Sequence, residues 1–318
     1  MRRPAAARLI AALLLLVGLA GLTAGAGCGD EQEADAGALR VMASATFLAD
    51  IAQNVAGDRF TVESLVPRDA DLHAFEPTPR DLAAVDEADL FILNGGGLEA
   101  ALEDTLRTAA ADTTFVVASD GITPREPQPG EPLDGSEEGR EGETDPHFWL
   151  DPTLVAAYVE NIRDAFVAAD PEGRPEYAAN ADAYIAELES LDTWIRDRVA
   201  TLPREDRLLV MNHMSHGYFA DRYGLRIVGA VIPSIASGES PTAKQLAALT
   251  ETIRREGVRA IFVELDENPE LAAQIAAETG IVVVDDLRDH SLSEPGGGAA
   301  TYIEMMKYDT ERIVDGLK

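Results

Sequence analysis

Between Pro175 and Pro203 no glycine or proline interrupts the chain. Within that stretch Tyr177, Ala181, Tyr184, Leu188, Leu191, Ile195 and Val199 recur at the three-and-four spacing of one helical face. A helix over 175–199 would span roughly 37 Å at 1.5 Å per residue, enough to run the height of two packed units as a stiff strut. On both sides of it short β-branched runs alternate with helical patterns. Strands are predicted at 39–43, 61–66, 90–93 and 115–118, with helices at 46–56, 79–87 and 98–109. The second half repeats the alternation, with strands at 208–211, 226–232, 260–264 and 281–284 and helices at 242–256, 269–278 and 301–317. Such alternation argues for parallel βα units rather than a sandwich. Two halves joined by one rigid helix should rock only slightly.

The first residues have the composition of an export signal, with Arg2, Arg3 and Arg8 ahead of an apolar stretch and then GLTAGAGC ending at Cys28. Two readings stand: a lipobox, in which 1–27 is removed and Cys28 carries the lipid, or an uncleaved membrane anchor. Either leaves the folded part outside the cytoplasm. Cys28 is the only cysteine, so no disulfide framework is possible and stability must come from a core. The remaining segments are a tether at 28–38, an α/β lobe at 39–174 with an acid-rich surface loop at 125–145, the linker helix at 175–202 and a second α/β lobe at 203–318. The net charge of −31 repels nucleic acid and anionic lipid and attracts cations at long range.

Only five histidines occur, and four of them, His73, His147, His213 and His290, stand 74, 66 and 77 residues apart. Imidazole is the commonest protein ligand for late first-row metals, and rigid loops after parallel strands are where open α/β sheets bind ligands. His73 lies in HAFEPTPRD and His147 in DPHFWLDP, each framed by prolines. His213 follows a predicted strand in HMSHGYFADRYGL, and His290 follows another in DDLRDHSLSEPGG. Gly95, Gly96 and Gly97 lack the lysine and spacing of a phosphate loop and predict a tight turn. There is no HExxH helix, nucleophile elbow or dinucleotide fingerprint.

Taken together, these strings, with the closing TYIEMM helix, resemble the TroA-like solute-binding receptors of bacterial ABC importers for zinc or manganese. The resemblance covers essentially the whole exported chain. It implies two lobes, each with a four-stranded parallel sheet flanked by helices, joined by one long rigid helix and gripping a metal between them. Carried over by position, His73 and His147 match the two first-lobe ligands. His213 matches the third, where zinc receptors have histidine and manganese receptors commonly have glutamate. The family usually has aspartate at the fourth position, whereas this chain has His290, with Asp289 one residue earlier as the alternative ligand. His216 stands where the family usually has an aromatic residue, which favours packing over ligation.

An all-imidazole zinc site keeps its full charge and needs nearby acids; Asp145, Glu76, Asp286 and Asp289 are candidates. The leading expectation is a non-enzymatic, monomeric receptor for Zn²⁺, with Mn²⁺ as the less favoured cargo. It would deliver the ion to an ABC permease and its ATPase, with loading by a metallochaperone left open. The alternative is a zinc hydrolase in which His73, His147 and His213 hold the metal, a water takes the fourth place and Glu76 or Glu294 acts as base.

Overall fold

The computed structural model describes residues 39–70, 72, 75–126, 131, 144–233, 240–265 and 267–318. The signal, Cys28 and the tether lie outside that set, as does His73. In the first half the strands are β1 (Val41–Ala43), β2 (Val62–Ser64), β3 (Leu90–Leu93) and β4 (Thr114–Val117), and the helices are α1 (Thr46–Ala56), α2 (Pro79–Asp86) and α3 (Ala100–Ala109). Two helices bridge the halves, α4 (Pro152–Ala169) and α5 (Arg174–Val199). The second half holds β5 (Leu208–Met211), α6 (Gly217–Tyr223), β6 (Arg226–Ala230), α7 (Ala243–Glu256), β7 (Ala260–Glu264), α8 (Glu270–Thr279), β8 (Val282–Leu287) and α9 (Tyr302–Gly316).

Each half forms a four-stranded, wholly parallel sheet with the same strand order, β2-β1-β3-β4 and β6-β5-β7-β8. Strand order reverses beside β1 and beside β5, so the carboxyl ends there open into the crevice where such sheets receive ligands.

The strands are buried on both faces, and their alternation sorts side chains between two cores. In β3, Leu90 and Ile92 point into a large central core while Phe91 and Leu93 face a smaller one lined by α2 and α3. In β7, Ala260 and Phe262 take the central side and Ile261 and Val263 face α7 and α8. The central core is continuous through both halves. It gathers Phe47 and Ile51 of α1, Tyr158 and Phe166 of α4, and Met305 and Ile313 of α9 around α5. Every apolar position expected on the linker-helix face is buried there, from Tyr177 to Val199. Truncating one of them, Leu188→Ala for instance, would cost about 2–5 kcal/mol.

Three local differences from the sequence reading have physical causes. Helix α4 was not among the predicted helices; Asp151 caps it by accepting from the Thr153 N–H, with Pro152 in the first turn. Strand β2 is only three residues long: the Leu65 and Val66 N–H groups still donate to the Ala43 and Ser44 carbonyls at 2.8 and 3.1 Å, but Pro67 has no N–H to carry the ladder further. The acid-rich segment is less free of the body than its composition suggests. Arg125, its side chain only 7% exposed, pairs with Glu131 at 2.5 Å and with Asp221 of α6 at 2.8 Å.

Candidate metal centre

His147, His213 and His290 come together from distant parts of the chain, each offering a ring nitrogen within 4.8 Å of the others. Their ring centroids form a near-equilateral triangle, 5.5 Å from His147 to His213, 5.3 Å from His147 to His290 and 5.3 Å from His213 to His290. All three rings are buried.

The segment carrying His147 is held by its backbone. The Asn94 amide at the end of β3 donates to the Pro146 carbonyl at 3.0 Å, and the Tyr158 hydroxyl donates to Asn94 Oδ1 at 2.5 Å. Buried Glu99 accepts from the Ser44 hydroxyl at 2.7 Å and from the Asn94 N–H at 2.7 Å, tying the ends of β1 and β3 together. The predicted glycine turn lies alongside: Gly96 has φ +66°, and a Cβ there would sit 2.5 Å from the Phe148 ring. Asp145 Oδ1 lies 2.9 Å from His147 Nδ1 and accepts from the His147 N–H at 3.1 Å. Burial pushes Asp145 up to about 7 against the pull of that N–H and of Arg125.

His213 stands two residues past β5 with two carboxylates at its Nδ1, Glu264 at 3.3 Å and Glu267 at 3.1 Å. Burial alone would lower its pKa, but Glu264 and then Glu267 outweigh burial and hold it well above the ordinary histidine value. Burial would raise Glu267, yet its contacts with His213 bring it down to about 2. His290 Nδ1 lies 2.9 Å from Asp289 Oδ1. Burial opposes ionisation of Asp289, but His290 beside it holds the carboxyl well below the usual range.

Of the acids expected around the site, Asp145 and Asp289 are there. Asp286 is engaged with Tyr308 and Arg312, and Glu76 is exposed. The sequence reading missed Glu264 and Glu267. The available signal was a carboxylate closing the apolar run AIFVE, at the strand end where ligands gather. His216 is buried with its Nδ1 2.8 Å from the Ser215 hydroxyl, and burial pushes it down to about 4. It is not a member of the three-histidine group.

His73 lies outside the described residues, but its flanks reach the second lobe beside His290. The Arg68 guanidinium donates to the Ser293 carbonyl at 2.5 Å, the Asp69 N–H donates to the Ser291 hydroxyl at 2.7 Å, and Arg288 pairs with Asp69 at 2.6 Å.

A buried cage of imidazoles backed by carboxylates, drawing on the ends of β5, β7 and β8 and on the segment before α4, suits a divalent cation. The family of the zinc-uptake complex component A, periplasmic (ZnuA), matches residues 41–316. The chain belongs to this family. It is 35% identical over 92% of its length to the manganese-binding lipoprotein MntA of Halalkalibacterium halodurans, covering 94% of that protein. It is 32% identical to the iron-binding protein YfeA of Yersinia pestis, over 96% of this chain and 95% of that one. The periplasmic zinc-binding protein TroA of Treponema pallidum superposes with a TM-score of 0.80 over 88% of this chain and 99% of that one. At 23% identity that likeness shows the fold alone. The chain is thus an extracytoplasmic metal-binding receptor, the substrate-binding component of an ABC importer. It is not an enzyme, so the hydrolase alternative falls, since the family consists of substrate-binding proteins.

Proposed function

We propose that the cargo is Zn²⁺, held by His147, His213 and His290 with His73 completing a tetrahedron, and handed to the importer's permease and ATPase. The observation that carries this is the triangle of buried imidazoles. Zinc–nitrogen bonds of about 2.0–2.1 Å put tetrahedral ligands roughly 3.3–3.4 Å apart, so nitrogens already within 4.8 Å need only a small contraction. The carboxylates at Nδ1 of each ring favour the tautomer that presents Nε2 to the ion and offset its charge. Four protein donors leave no place for a reacting water, so the ion is stored rather than used.

Manganese is the second reading. Glu264 and Asp289 lie close enough to His213 to offer oxygen donors, which suit a harder ion. Zn²⁺ outcompetes Mn²⁺ at most sites whatever the cargo, so metal analysis of the protein taken from its native cells tests the choice: zinc should predominate, and manganese in its place would make manganese the cargo.

We further propose Cys28 as the lipid attachment point. Labelled fatty acid should enter the wild-type chain and not Cys28→Ala; labelling of both would refute the assignment.

A further inference from the structure

The three-histidine group draws on both lobes, but a second group of donors does not. His213, Glu264 and Asp289 each offer a ligand atom within 4.8 Å of the other two. They stand at or just beyond the carboxyl ends of β5, β7 and β8, so the whole group belongs to the second sheet. Both carboxylates are fully buried, and among the described residues neither is paired with a lysine or arginine. Glu264 Oε1 accepts from the Ser215 hydroxyl at 3.1 Å, whereas Oε2 has no hydrogen-bond partner among the described residues. Imidazoles face both, His213 at 3.3 Å from Glu264 and His290 at 2.9 Å from Asp289, and buried carboxylates so placed favour a cation bound between them.

The geometry points to a two-position centre: His213 is a pivot shared by a lobe-spanning nitrogen set and a one-lobe set of His213, Glu264 and Asp289, which holds the ion when the lobes part. This rests on the reading of His147, His213 and His290 as the closed-state ligands. As the lobes separate, the first-lobe nitrogens leave and carboxylate oxygens take their places. Only coordination bonds are exchanged, with no change of oxidation state. An ion landing first on the second lobe would be captured when His147 arrives, and the reverse order would serve release. Carboxylate oxygens also accept harder ions than imidazoles do, so the landing set would admit a wider range of metals than the closed cage retains.

The test strips the first-lobe donors from the full chain. The double variant His73→Ala/His147→Ala, titrated with Zn²⁺, should still bind one equivalent about a hundredfold or more weaker than wild type. Its X-ray absorption should show an oxygen-enriched first shell. Adding Glu264→Gln should weaken this residual binding at least about tenfold further and remove the oxygen enrichment, which loss of a merely structural contact would not do. Asp289→Asn provides an independent second variant, and circular dichroism of each metal-free protein reports folding. Loss of all binding in a folded double variant would overturn the two-position centre, as would residual binding indifferent to both carboxylate substitutions. The wild-type arm reads the parent proposal separately. No Zn²⁺ binding there overturns both, whereas tight wild-type binding with none in the double variant overturns this inference alone.

Discussion

The indole N–H of Trp149 donates to the backbone carbonyl of Asp289 at 2.6 Å, and both groups are buried. Trp149 lies two residues past His147 and Asp289 one residue before His290, so this hydrogen bond ties the first-lobe segment carrying His147 to the second-lobe segment carrying His290. The ring is fixed from behind by stacking on Phe47 at 4.4 Å, and the Trp149 carbonyl accepts from the Tyr302 hydroxyl at 2.5 Å.

Trp149→Phe keeps an aromatic ring on Phe47 and removes the N–H. A buried carbonyl left without its donor costs about 1–3 kcal/mol, and the loosened register should weaken Zn²⁺ binding about tenfold. Denaturant unfolding and titration calorimetry measure the two effects, and an unchanged affinity would deny that this bond holds His147 and His290 in register.

Gly96→Ala should damage the same segment from the other side. Its φ of +66° and the 2.5 Å approach to Phe148 leave no room for a methyl group unless the ring moves. A stability loss of about 1–3 kcal/mol is expected, with weaker metal binding as Phe148 shifts its neighbour His147. Wild-type values in both unfolding and titration would contradict the packing described.

His290 and His216 differ by role although both are buried beside Asp289. His290→Ala should lower Zn²⁺ affinity by about a hundredfold or more, whereas His216→Ala should change it less than about threefold. Equal losses in titration calorimetry would mean that the fourth-position ligand has been misplaced.

The pH dependence has two opposite signs. His213 is held above its ordinary pKa by Glu264 and Glu267, so in the metal-free protein this pairing stabilises the fold fully below about pH 6.5. That contribution is lost as pH rises through the elevated folded-state value. Metal affinity runs the other way, because a protonated imidazole cannot bind: Zn²⁺ binding should strengthen from pH 6 to pH 8.5 and release about one proton per ion at neutral pH. Calorimetry in buffers of different ionisation enthalpy measures the release. Binding that is flat or weaker toward high pH would exclude His213 as a ligand.

Much of the architecture was legible because the signals were local. The alternation of apolar runs located all eight strands found among the described residues, and the three-and-four spacing from Tyr177 to Val199 marked the buried face of α5. His147, His213 and His290 were visible because histidine is scarce here and each sits in a loop at the crevice. Helix α4 was hidden because its start signals, the Asp151 cap and Pro152, are also the last two residues of the DPHFWLDP string. Glu264 and Glu267 were hidden among 57 acidic residues, most of which need only water. What distinguishes these two is burial against His213, and only the pairing of β5 with β7 brings them there.

X-ray absorption spectroscopy of the Zn²⁺-loaded wild-type protein reads the coordination shell itself. The expected result is a four-coordinate first shell of nitrogen at about 2.0–2.1 Å, with the outer-shell scattering of at least three imidazoles. An oxygen-dominated shell with one imidazole or none would contradict it.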